Sequence, residues 1–171
     1  YVSNPGDHTS NQDGTVFEET HYSWFWLSGV EILPKYKPAG AVAILGDSIT
    51  EGHSSTVNAN HRWPDYLAER FKEGPPGQRM AVLNGGISGN KILRDSPVYG
   101  VNALARLDRD ILNQTGVTDV ILMEGINDIG HLPHTLEAEK IIAGMQQIIE
   151  QTHAKGLKIY GGTLTPFKST T

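Results

Sequence analysis

Ala41-Val42-Ala43-Ile44-Leu45, followed at once by Gly46-Asp47-Ser48-Ile49-Thr50, is the stretch on which the reading of this chain turns. Five apolar residues with no polar interruption, closed by glycine, form a strand covered on both faces, the pattern of a parallel sheet. Similar runs recur at residues 80–83, closed by Asn84-Gly85-Gly86, and at 118–123, closed by Glu124-Gly125, and another begins at 157–160. Helical periodicity lies between them. In 61–72, Trp63, Leu67 and Phe71 share a face and Pro64 falls in the first turn. In 101–112, apolar residues return at 101, 104, 107, 111 and 112, and in 135–154 at 138, 141, 142, 145, 148 and 149, with Gly156 placed to end that helix. Strands alternating with helices predict an α/β domain with a central parallel sheet and helices on both faces.

Outward from this core, residues 1–38 read as an irregular or strand-like lead-in to a domain spanning 39–171. Residues 1–20 are rich in Asn, Asp, Gly, Ser and Thr without periodicity, and are expected to be coil. Tyr22, Trp24, Phe25 and Trp26 then crowd together before Pro34 and Pro38, as an edge strand packed on the main domain or, alternatively, an aromatic patch for stacking on carbohydrate.

Composition narrows the chemistry. The 171 residues are 38% hydrophobic and 19% charged, ordinary for one folded domain. A net charge of -5 without a basic stripe argues against a nucleic-acid partner. With no cysteine, thiolate catalysis and disulfides are excluded, and the histidines lack metal-site spacing. No apolar run approaches the length of a membrane span.

In an open parallel sheet, ligands bind at the carboxyl ends of the strands. There the chain places Gly46-Asp47-Ser48-Ile49-Thr50, then Ile87-Ser88-Gly89-Asn90, then Gly125-Ile126-Asn127-Asp128. A serine on the first turn can present its hydroxyl as a nucleophile, a glycine N–H can approach a ligand closely, and an asparagine amide adds a further donor. Such donors stabilise the oxyanion of acyl transfer. Asp47 and Asp128 read as supporting residues that organise their loops by accepting backbone N–H bonds.

These three blocks, in this order and each after a strand, resemble those of the SGNH (GDSL-type) hydrolases. Arg62-Trp63-Pro64-Asp65 and Gly161-Gly162-Thr163-Leu164-Thr165-Pro166-Phe167 are similar to the flanking text of secreted bacterial members. The resemblance covers roughly residues 39–167 and implies a flavodoxin-like three-layer sandwich, a secreted or extracytoplasmic serine esterase, and no cofactor. It implies Ser48 as nucleophile, with an oxyanion hole made by the Ser48 N–H, the Gly89 N–H and the Asn127 side chain. The substrate implied is a small-molecule or carbohydrate ester, hydrolysed through an acyl-enzyme.

The resemblance breaks at the family's last block, Asp-x-x-His, which supplies the general base. The chain's one such spacing, Asp128 to His131, overlaps the third block, where Asp128 is already committed to shaping the loop. The base is therefore expected to be a histidine outside this sequence, with His131 the candidate inside it. The beginning at Tyr1 suggests a removed leader or an excerpt, and the last elements of the fold are expected to be missing, leaving one face and one edge of the sheet uncovered. Other readings are a non-catalytic small-molecule or glycan-binding module on the same scaffold, an inactive esterase fragment lacking its base, and a phosphate cradle at Gly85–Gly89 that lacks the expected lysine. His53, His61, Arg94 and Asp95 are candidates for substrate contact from the loops around the site.

Overall fold

The computed structural model describes residues 2–3, 5–19, 27–35 and 39–167. The chain divides into two compact units, Tyr1–Leu33 and Pro34–Thr171. In the first, strands β1 (Val2–Ser3) and β2 (Phe17–Glu19) pair antiparallel, where coil was expected. Local carboxylate turns shape the connection: Asp7 accepts from the N–H and hydroxyl of Thr9, and Asp13 does the same for Thr15. The aromatic residues 22–26 lie outside the described residues.

The second unit is built on β3 (Gly40–Gly46), β4 (Met80–Gly86), β5 (Val117–Met123) and β6 (Lys158–Gly161), all parallel in the order β4-β3-β5-β6. This is the start of a flavodoxin-like order, in which the first strand sits between the second and third. β3 is the central strand, and its residues Ala41–Leu45 are buried on both faces. Removing a side chain such as Ile44 from water stabilises the fold by about 1.5–3 kcal/mol.

Helices flank the sheet. On one face, α3 (Ala103–Leu107), a π turn over Asp108–Leu112 and α5 (Ala138–Ala154) pack Leu107, Ile111, Ile141 and Ile148 against Ala43, Leu45, Val120 and Leu122. The periodicity over 101–112 thus belongs to one continuous helical segment whose second half widens into a π turn. The opposite face carries α1 (Ser48–Glu51) and α2 (Trp63–Glu73) over β3 and β4. Among the described elements no helix covers this face over β6, where the Tyr160 ring is half exposed and its hydroxyl donates to Asp119 Oδ1 at 3.2 Å.

Helix ends follow local chemistry. α2 carries Pro64 in its first turn, and the Asp65 carboxylate returns to the Arg62 N–H at 3.0 Å. α5 ends with Gly156 at φ +73°, the Gly156 N–H reaching His153 O and the Leu157 N–H reaching Thr152 O, a Schellman motif. The short helices α1 and α4 (Ile126–Gly130) carry no periodicity that sequence reading could detect, because each is a single turn.

Candidate active site

Parallel register brings Gly46, Gly86 and Met123 level across three adjacent strands, so the loops that follow them leave the sheet together. In the first, Asp47 caps α1: its Oδ1 accepts from the Ile49 N–H at 2.9 Å, and Ser48 is the first helical residue, half-buried. The turn is bound to its neighbour by Ile87 N–H to Gly46 O at 3.0 Å, Asn84 Nδ2 to Thr50 O at 2.8 Å and Ser88 Oγ to Glu51 Oε2 at 3.0 Å. Gly86 permits the contact, since a Cβ there would stand 2.3 Å from the Glu51 nitrogen.

In the second loop Gly89 is buried with φ +73°, a conformation that side chains with a Cβ rarely adopt. The Tyr99 ring lies directly on it, 2.4 Å from where a Cβ would stand. Asn90 holds the return of the loop, its Nδ2 donating to Val101 O at 2.8 Å and to Tyr99 O at 3.3 Å.

The third loop turns at Gly125, φ +118°, into α4. Asn127 is buried, and its Nδ2 donates to Asn90 O at 2.9 Å. One amide hydrogen is thereby fixed, which orients the other. The neighbouring Asp128 carboxylate accepts from the Ile92 N–H at 2.8 Å and the Leu93 N–H at 3.2 Å, tying the third loop to the second. Burial raises the Asp128 carboxyl above its ordinary value, and these N–H groups and Lys91 oppose the rise.

His131 caps the C-terminal end of α4. Its ring is exposed and stacks on Tyr99 with centroids 5.8 Å apart, while its carbonyl accepts from Lys91 Nζ at 2.6 Å. Among the described residues no hydrogen bond joins the His131 ring to Ser48 or Asp128. His53 is exposed, and His61 stacks on Tyr66 at 6.0 Å. Arg94 is exposed, and Asp95 accepts from the Asn102 N–H and side chain.

Beneath the three loops sits a charged group that sequence reading missed. Arg106 is buried, and donates from Nη2 to Gly46 O at 3.1 Å, from Nη1 to Gly85 O at 2.6 Å and from Nε to Asn90 Oδ1 at 3.0 Å. Glu124 Oε1 lies 3.7 Å from Nη2, with both side chains fully enclosed. Burial lowers the affinity of Arg106 for its proton, and Glu124 and Asp110 counter that effect. Burial and the adjacent Asp47 push the Glu124 carboxyl well above the usual range; burial also raises Asp47, against the Ile49 N–H, Glu124 and the field of His131. The only sequence signal for Arg106 is a charge on the apolar side of its helix, between Ala103 and Leu107. Glu124 stands in the third loop without a periodic pattern to mark it as buried.

The arrangement thus carries Ser48, Gly89 and Asn127 on three loops that are tied to one another where they leave the carboxyl ends of adjacent strands. Comparison with known proteins identifies the lineage. The AlinE4 esterase of the SGNH-hydrolase family superposes with a TM-score of 0.58 at 17% identity, over 79% of this chain and 63% of that one. The acetyl xylan esterase AlAXEase gives 0.54 at 24% identity, over 71% and 56%. The M. smegmatis aryl esterase gives 0.57 at 20%, over 71% and 62%. The chain thus spans less than two thirds of the length of these structures, which share its fold. No curated protein gives a significant match. The model of the GDSL-like lipase/acylhydrolase family matches residues 44–171, and the chain belongs to that family.

Proposed function

We propose that this chain carries the nucleophile and the oxyanion-binding groups of a serine carboxylic ester hydrolase. The observation that carries the reading is the convergence of three loops, at the ends of β3, β4 and β5, that are cross-tied by Asn127 Nδ2 to Asn90 O and by Ile87 N–H to Gly46 O. Family membership supports it. The substrate is a carboxylic ester of a small-molecule or carbohydrate alcohol.

In this reading Ser48 Oγ attacks the ester carbonyl carbon as its proton passes to a base. The carbonyl oxygen becomes an oxyanion, held by the N–H groups of Ser48 and Gly89 and by Asn127 Nδ2. Collapse expels the alcohol, which takes a proton, and leaves an acyl-Ser48 ester. Water then attacks that ester, regenerating the hydroxyl and releasing the acid. Each preorganised donor contributes about 10²–10³ in rate in comparable sites.

Asp128 is occupied by the Ile92 and Leu93 N–H groups, so it does not orient His131 as an acid–base pair would require. The base of the complete reaction is assigned to a different histidine. The test is release of nitrophenolate from p-nitrophenyl acetate by the folded protein, with Ser48→Ala in parallel. Release that depends on Ser48, slow where that base is not engaged, is the expected result. Equal release by Ser48→Ala contradicts the reading.

A further inference from the structure

The mechanism above leaves Glu124 without a task, although it is one of the largest fully buried side chains. Among the described residues, Asp47 Oδ2 and both Glu124 oxygens are buried without a well-formed hydrogen bond, and the Gly125 N–H is the one backbone group that favours the ionised form of Glu124. Asp47 and Glu124 directly follow Gly46 and Met123, which are paired across adjacent strands, so the two carboxyl groups leave the sheet side by side and act on one another. Two carboxylates so placed are both acceptors and repel, and neither can satisfy the other. A single proton between them removes both defects at once.

We propose that Glu124 is a neutral carboxylic acid whose O–H donates to Asp47 Oδ2, making it a positioning residue for the turn that carries Ser48. Asp47 is the ionised member because its Oδ1 already accepts the Ile49 N–H that starts α1, and hydrogen bonding favours the charged form. Arg106, 3.7 Å from Glu124 Oε1, balances the one negative charge that remains and fixes Gly46 O, the carbonyl before Asp47. The groups that act electrostatically on Glu124 are Asp47 on the first loop, Asp128 on α4 and Arg106 on α3, with Asp110 behind Arg106 at 3.6 Å. Glu124 and Arg106 together thus hold the first loop from below, through its cap and through its strand end. The placement of the proton stands on burial and unmatched acceptors alone; its consequence for Ser48 rests on the reading of Ser48 as nucleophile.

Infrared spectroscopy of the full chain at neutral pH tests the proton directly. A protonated-carboxyl C=O band is expected in the parent, absent from Glu124→Gln and retained in Asp47→Asn. A parent spectrum without such a band, or a band that persists in Glu124→Gln and vanishes in Asp47→Asn, overturns the proposal. The positioning role is read from the rate at which a serine-directed phosphonate labels Ser48. Glu124→Gln, whose amide can donate to Asp47, is expected within about threefold of the parent, and Glu124→Ala about tenfold slower, the size of one lost hydrogen bond. Equal labelling of parent and Glu124→Ala, both folded by circular dichroism, overturns that role. If the parent is not labelled at all, the esterase reading fails while the infrared band still decides where the proton lies.

Discussion

Arg106 Nη2 donates to the main-chain oxygen of Gly46, so a guanidinium from the helical layer holds the end of the central strand two residues before Ser48. The same group reaches Gly85 O on β4 and Asn90 Oδ1 on the second loop. A planar fork with several fixed donors suits this task, and an ammonium does not. Arg106→Lys is therefore expected to lose most of the clamp, and Arg106→Met to leave the Asp47–Glu124 pair without its counter-charge and three acceptors without a donor. Breaking a buried ionic group in this way costs about 3–5 kcal/mol. Urea titration of the variants checks it; a loss below about 1 kcal/mol for Arg106→Met would contradict the account.

Gly89→Ala meets two obstacles, a φ of +73° and a Tyr99 ring where the methyl would stand. Adding Tyr99→Ala removes the ring but leaves the backbone strain of roughly 1–2 kcal/mol. Labelling of Ser48 by a phosphonate is expected to fall in Gly89→Ala and to recover only in part in the double variant. Full recovery would mean that backbone conformation at this position is unimportant.

The raised carboxyl of Glu124 sets a direction for pH dependence. The folded state holds this proton above the ordinary glutamate value of 4.5, whereas the unfolded chain releases it there. Between the unfolded and folded values the native state binds more protons, so stability falls as pH rises. The contribution is fully present below about 4.5 and is lost as pH climbs toward the folded value. Thermal or urea unfolding of the parent and Glu124→Gln between pH 4 and 8 should show a difference that shifts in favour of the glutamine form as pH rises. A difference independent of pH contradicts a neutral Glu124.

His131→Ala is expected to leave Ser48 reactivity within about threefold, since the imidazole is exposed and unpaired with Asp128, and general-base catalysis is worth about 10²–10⁴ where it operates. A loss of a hundredfold or more in p-nitrophenyl acetate hydrolysis would instead install His131 as the base.

The sheet was legible because burial on both faces leaves continuous apolar runs, as in Ala41–Leu45, and the long helices because Leu107, Ile111, Ile141 and Ile148 repeat with helical spacing. The three loops were legible through motif residues such as Gly89, whose positive φ only glycine enters freely. What stayed hidden was the charged layer under them. Arg106 and Glu124 are polar residues in fully enclosed positions, and periodicity assigns such residues to solvent unless their partners, here Gly46 O, Gly85 O and Asp47, are already known to be near. Tyr99 escaped for a similar reason, since its contact with Gly89 is created by the fold of the loop between them.

Ser48, proposed as the nucleophile, should react ahead of every other hydroxyl of the folded chain. The most direct measurement is peptide mapping by mass spectrometry after treating the folded chain with a p-nitrophenyl phosphonate. One adduct is expected, on Ser48, formed about 10²–10³ times more slowly in Asn127→Ala. An adduct on another residue, or none on protein shown to be folded, would contradict it.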